Sequence, residues 1–235
     1  SLAKDDVSVR VYPIPFLDPD FARSALAPGE EPLARSHESV MSAAMQRVRN
    51  DLAICDEPVN ATIVMAHAFV IGGAQTDSER DISVGGVESI PAQVFSGVDY
   101  VALGHLHGPQ RLEAPGVAAI RYSGSPLRYS FSEADHKKSV TLFDVTAQGV
   151  SEPTTRLLDQ PRGMAVLTGP FAEILDPRQV SDHSDDWVRI IVTDPARPDQ
   201  LNQRIRDVYP HALSILHQPP ALDPIAAELP ASVQR

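Results

Sequence analysis

The chain has 235 residues, enough for one large domain or for a medium domain with a small companion. Hydrophobic residues make up 43% and charged residues 22%, the mix of an ordinary packed core. No apolar run approaches the ~18 residues that span a bilayer. The net charge of −11 argues against a nonspecific coat for nucleic acid, because neutralising phosphates needs clustered cations, but it leaves room for a local contact patch.

The opening SLAKDDVSVRVYPIPF has neither the basic nor the apolar region of a signal peptide, and it has no initial Met. A piece of a longer chain is the expectation. The one cysteine, Cys55, cannot form an internal disulfide, so a reducing cytoplasm is expected. Cys55 ends a helical pattern and is read as a small buried hydrophobe rather than a nucleophile.

Alternating polarity over 7–12, VSVRVY, predicts a strand. The Pro- and acid-rich stretch 13–32 predicts a loop. From Ser36 the residues Val40, Met41, Ala44, Met45, Val48 and Leu52 recur at helical spacing and define one buried face. ATIVMA, 61–66, is a continuous apolar run of strand length that stops at His67. Residues 72–86, with glycines at both ends, read as a long surface loop, and 89–96 as a short helix or turn. DYVAL, 99–103, is a second buried-type strand and stops at Gly104-His105-Leu106-His107. Strands follow at 118–124, 139–145 and 154–158. Beyond about residue 155 the order is strand (163–169), helix (170–180, broken near Pro177), strand (187–193), helix (Leu201, Ile205 and Val208 on one face) and strand (212–216). That is a small α+β unit. The Pro-rich segment 217–235 reads as an extended tail. The fold class is α/β (α+β).

Three histidines stand where buried-type strands end: His67, His105 and His107. In open α/β sheets ligands collect at the carboxyl ends of strands. In an extended chain the side chains of 105 and 107 point the same way, so both imidazoles can face one metal centre while Leu106 packs the other way. Imidazole is a common ligand of Zn, Mn and Fe. His37, His136, His183, His211 and His217 lie in polar or terminal contexts and are expected in solvent.

A second constellation is YSGSPLRYSFSEADHKKS, 122–139. Its Ser123-Gly124-Ser125-Pro126 turn offers hydroxyls and backbone N–H groups that can hold an anion, and Arg121, Arg128, Lys137 and Lys138 add positive charge. The bland alternative is a tight turn beside a solvated charge run. Three imidazoles do not complete a binuclear hydrolytic site, which also needs carboxylates and an open position. Asp77, Glu79, Asp81 and Asp99 have no ligand-like spacing.

HAFVIGG (67–73), SERDISVGG (78–86), DYVALGHLHGPQ (99–110) and RYSGSPLRYSFSEADHKKS (121–139) together resemble the calcineurin-like metallophosphoesterases, and among them the SbcD family of nuclease subunits. The resemblance covers most of 5–145. It implies the C-terminal part of a four-layer α/β/β/α sandwich at 1–153, a small α+β cap domain at 154–217 and a tail at 218–235.

It also implies two Mn²⁺ ions (Mg²⁺ in their place as a variant), with His67 and His105 on one metal and His107 on the other. Ser123, Ser125 and Arg128 would contact substrate. The implied reaction is 3′→5′ exonuclease and endonuclease cleavage of DNA ends and hairpins in repair, recombination and replication. The implied partners are DNA, an SbcC-type coiled-coil ATPase and a second copy of the nuclease subunit in the complex, with no membrane. The family's catalytic His and its aspartate and Asn ligands belong to an N-terminal half that these residues do not include, so no catalytic residue is assigned. The isolated chain is expected to bind metal weakly and turn over little. A non-catalytic interaction module is the alternative. A metallo-β-lactamase-like site is disfavoured by Gly108-Pro109-Gln110 after the His pair, and purely structural histidines are the bland reading.

Overall fold

In the computed structural model, which describes residues 1–4, 6–72, 89–113 and 119–220, the chain opens with β1 (Leu2–Lys4) and β2 (Val7–Ile14), an antiparallel pair. The stretch predicted as loop contains a short helix, α1 (Pro19–Ala25). Asp18 caps it, its carboxylate accepting from the Asp20 N–H at 2.9 Å, and Pro19 takes the first helical position. The Asp-Pro pair read as a loop signal is here a helix start, where proline's missing N–H costs nothing.

The long helix α2 (His37–Ala53) begins where the side chain of Ser36 accepts from the Ser39 N–H. Met41, Met45 and Val48 lie on its buried face, spaced so that successive turns stack on one side. They pack on Val64, Ala66, Val101 and Leu103 of two strands, β3 (Ala61–His67) and β4 (Tyr100–Gly104). Two short strands follow, β5 (Gln110–Leu112) and β6 (Ile120–Tyr122).

The main sheet has the order β1-β2-β3-β4-β6-β5. Its four central strands, β2, β3, β4 and β6, are parallel, and β1 and β5 add antiparallel edges. Residues 61–64 of β3 and 100–101 of β4 are buried whichever face they point to, and a strand enclosed on both faces reads as a near-continuous apolar run, although Met65 is half exposed. The predicted strand 139–145 is divided. β7 (Ser139–Leu142) ends before Phe143, and β8 (Val145–Thr146) pairs with β9 (Gly149–Val150). β10 (Thr154–Leu157) returns antiparallel to β7. Cys55 lies just past α2 and is partly exposed rather than buried. The loop predicted at 72–86 falls, from 73 onward, outside the described residues, as do Asp77, Glu79, Asp81 and the tail beyond 220.

The chain divides into two units, Ser1–Gln160 and Pro161–Arg235, so β10 belongs to the first. The second contains β11 (Met164–Gly169), α3 (Phe171–Ile174), α4 (Pro177–His183), β12 (Trp187–Val192), α5 (Leu201–Val208) and β13 (Ala212–His217). Its three strands are parallel in the order β11-β12-β13. Leu167, Phe171, Ile190, Leu201, Ile205 and Tyr209 are among its core residues. The Tyr209 hydroxyl, inside that core, donates to the Ile174 carbonyl at 2.7 Å, which satisfies both groups. Among the described residues no helix is long and apolar enough to cross a membrane.

Met45 is fully buried between α2 and the sheet, whereas Ile54 at the helix end is 79% exposed. Met45→Ala is expected to lower stability by about 2–5 kcal/mol through lost burial and a residual cavity. Ile54→Ala is expected to stay within about 0.5 kcal/mol. Urea midpoints of the two variants check this contrast.

Candidate functional site

The parallel ladder between β3 and β4 sets His67 directly beside Gly104, so both strands end together. A Cβ at position 104 would stand 3.2 Å from the His67 Nδ1, closer than ordinary packing allows. Glycine there makes room for the imidazole. Its neighbour His105 is nearly buried, and its ring centroid lies 5.3 Å from that of His67, with the rings steeply inclined. Phe16 meets His67 edge-on, with ring centroids 5.8 Å apart. Partial burial, and then the charge of His107, push the His67 pKa below the ordinary imidazole value.

The backbone turns sharply at His105, whose φ of 114° lies in the left-handed half of the map. A residue with a Cβ in such a conformation stores strain of about 1–3 kcal/mol, held by surrounding packing. The strand therefore stops at Gly104, and the pleat argument for residues 105 and 107 does not describe this segment. Leu106 packs into the core, at 2% exposure. His107 reaches its place by the turn rather than by strand alternation.

The buried hydroxyl of Tyr122 anchors the segment that follows His67. It donates to the Ala68 carbonyl at 2.6 Å and accepts from the Val70 N–H at 2.9 Å. Burial pushes this phenol well above its ordinary pKa, so it remains a neutral donor.

Beneath His107 lies a buried polar network that sequence reasoning missed. The His107 Nδ1 stands 3.1 Å from Glu133 Oε1, and the Glu133 side chain has no exposure. The other carboxylate oxygen of Glu133 forms an ion pair with the equally buried Lys138 ammonium. Lys138 also donates to the His107 carbonyl at 3.0 Å and to the Ser125 hydroxyl at 2.8 Å. Three donors thus meet three acceptors, the condition under which a buried charge is tolerated. Lys138, expected among the surface cations of a phosphate-contacting lip, is 1% exposed and serves the interior instead. In the sequence Glu133 stands within the 121–139 motif, at the capping-box spacing Ser130-x-x-Glu133, with nothing to mark it as buried. Ser130 does cap the short turn Phe131–Glu133, but the carboxylate turns inward.

The predicted substrate residues are distributed unevenly. Ser123 shares an open cleft of about 480 Å³ with His67, Gly104, Pro13, Met65 and Leu103. Its hydroxyl donates to Thr141 Oγ1 at 3.2 Å. The Ser125 hydroxyl is buried and donates to the Leu127 carbonyl at 2.7 Å. Arg128 donates to the His136 carbonyl at 3.1 and 3.3 Å. Asp99 is structural, accepting from the Thr62 N–H at 2.7 Å.

Among the histidines expected in solvent, His37 is instead 4% exposed, its ring centroid 5.6 Å from that of Phe16. His217 donates to the Asp194 carbonyl at 2.7 Å, and His183 stands 2.9 Å from Asp186. Both are held by partners that only the folded chain supplies.

His67 and His105 stand at adjacent strand ends, and His107 is presented over a carboxylate. These donors suit a divalent cation that accepts imidazole. Among the described residues, however, no group of three or more His, Cys, Asp or Glu side chains is arranged to hold a metal ion. Among the described residues the imidazole part of a donor set is present, without a carboxylate arranged beside it to complete a metal site.

A parallel α/β sheet with imidazoles gathered at its strand ends, followed by a βαβαβ unit, defines the class as a mixed α/β protein. Comparison with known sequences narrows that class. Residues 160–231 match the SbcD_C family, described as the type 5 capsule protein repressor C-terminal domain. The chain is also 30% identical over 153 residues, 65% of its length, to the SbcD subunit of the nuclease SbcCD from Staphylococcus epidermidis. It spans 40% of that relative. The chain is thus similar to the C-terminal portion of an SbcD protein, in agreement with the motifs.

Gly124 holds the turn that carries the predicted serines, with φ of 80°. A Cβ there would lie 2.8 Å from the His107 carbonyl oxygen. Gly124→Ala is expected to cost at least about 1–3 kcal/mol, from left-handed strain together with a backbone clash. It should also displace the His107 ring. A thermal melt alongside the His107 proton resonances tests both effects.

Proposed function

We propose that this chain carries the histidine side of a divalent-metal phosphodiesterase centre and works as part of a DNA nuclease. The observation that bears most weight is the gathering of His67 and His105 at adjacent strand ends, their rings 5.3 Å apart. Burial, and then the nearby His107, keep the His67 pKa low and its ring neutral, as a ligand must be. The similarity to the SbcD subunit of the nuclease SbcCD supports the same reading.

In this proposal His67 and His105 donate to one Mn²⁺ and His107 to the other, with Mg²⁺ able to substitute. The bound pair would supply an activated water and neutralise charge on the scissile phosphate. The contribution of this chain is to hold three imidazoles and, through Ser123 at the cleft, to position substrate. Ser125 and Arg128 would contact substrate less directly, since the Ser125 hydroxyl donates to the Leu127 carbonyl and Arg128 holds the His136 carbonyl through Nε and Nη2. The oxygen ligands and the catalytic His come from outside these residues. The substrate is DNA, cut as a 3′→5′ exonuclease and endonuclease on ends and hairpins. The partner is an SbcC-type ATPase in a cytoplasmic complex with two copies of the nuclease, and the second unit acts as a cap over the DNA.

The lack of any three-donor group among the described residues favours a second reading, a non-catalytic interaction module for the ATPase.

The two readings separate in the complete nuclease assayed with Mn²⁺ on a DNA hairpin. His107→Ala is expected to lower cleavage by more than about 100-fold, because losing a ligand exceeds the 10–100-fold typical of losing an outer partner. Unchanged cleavage in that variant rejects the catalytic reading. The 235-residue chain alone is expected to bind Mn²⁺ weakly and to leave DNA intact. Full-rate cutting by it would contradict the proposed division of ligands.

A further inference from the structure

We propose that Glu133 is the positioning residue of His107. Held by Lys138, it fixes the imidazole proton on Nδ1 and so leaves Nε2 as the nitrogen that carries the lone pair. Three observations carry this. Glu133 Oε1 lies 3.1 Å from His107 Nδ1. Glu133 has no exposure, and its other oxygen is ion-paired to Lys138, whose ammonium is equally enclosed. Lys138 also donates to the His107 carbonyl at 3.0 Å, so one cation grips both the backbone of His107 and the carboxylate that meets its ring.

The chemistry follows from what each group can do. A carboxylate ion-paired to a buried ammonium only accepts hydrogen bonds. The imidazole nitrogen beside it must then donate. A neutral imidazole with its proton on Nδ1 has a bare Nε2, the form that binds a cation. Nδ1 and Nε2 lie on different edges of the ring, so pinning one aims the other. Outer carboxylates that orient ligating histidines work in this way.

The arrangement also predicts what a near-isosteric change does. In Glu133→Gln the Lys138 ammonium, which can only donate, claims the amide oxygen. The amide NH₂ then faces His107 Nδ1, which must accept. The proton moves to Nε2, and the lone pair a cation needs is lost with little change of shape.

The test is ¹⁵N NMR of the ring nitrogens in the 235-residue chain without metal, at about pH 8, well above the ordinary imidazole pKa of about 6.5. In the unmodified chain His107 Nδ1 is expected to show a pyrrole-type shift and Nε2 a pyridine-type shift. In Glu133→Gln the two should exchange, while His67 and His105 keep theirs. A purely structural Glu133 would leave the His107 tautomer the same in both proteins, and that result overturns the proposal. Should Glu133→Gln fail to fold, the unmodified chain still decides, because a protonated Nε2 there also overturns it.

The functional consequence rests on the reading of His107 as a cation ligand, and a second arm keeps the two apart. Added Mn²⁺ is expected to broaden the His107 ring signals in the unmodified chain and to lose that effect in Glu133→Gln. No broadening in either protein, with the tautomers as expected, supports the positioning role and removes the ligand reading alone.

Discussion

The site depends on one register, the parallel pairing that sets His67 against Gly104. Side chains alternate faces along a strand, so a slip of one residue would carry the His67 ring to the other side of the sheet. Burial prevents the slip. Val64, Ala66, Val101 and Leu103 all belong to the helix-covered core, and any shift would drive apolar side chains out of it. The hydrophobic effect that stabilises the sheet therefore also places the imidazole at its end. Glycine at 104 completes the arrangement, because a side chain there would meet the His67 ring.

Past the strand ends a different force takes over. His105 and His107 lie beyond the ladder, on backbone that no sheet hydrogen bonds regulate. The left-handed turn at His105 is tolerated because Leu106 is buried and because the His107 carbonyl is held by the Ser125 N–H and by Lys138. The Glu133–Lys138 pair is the costly element. Removing one partner of a buried pair typically costs about 3–5 kcal/mol, whereas replacing both with apolar groups is often neutral. Such pairs are therefore weak evidence for stability. Here the geometry leads from a buried ammonium through a carboxylate to an imidazole at the surface of the site.

Several parts of this architecture were legible in the residue pattern. The apolar runs at 61–66 and 99–103 became β3 and β4, and the helical spacing from Val40 to Val48 became the buried face of α2. The strand-helix alternation after residue 163 is the order of the second unit. The helix at Pro19–Ala25 was missed because Asp-Pro serves equally as a loop signal and as a helix start. The division of the strand after Leu142 and the short edge strands at 2–4 and 110–112 left no periodicity long enough to read.

The sequence by itself determined the long helix, the two central strands at 61–66 and 99–103, and that three histidines follow strand ends, because hydrophobic periodicity and its interruption are local properties. It also carried the motifs that link the chain to SbcD proteins. Tertiary structure alone decided that the strands run parallel and that His67 and His105 stand side by side. It also decided that Lys138 faces inward and that Glu133, one acidic residue within a polar run, supports His107. Those outcomes depend on hydrogen bonds and ion pairs between residues far apart along the chain or hidden within a turn. No short-range pattern encodes which partner a buried charge will find.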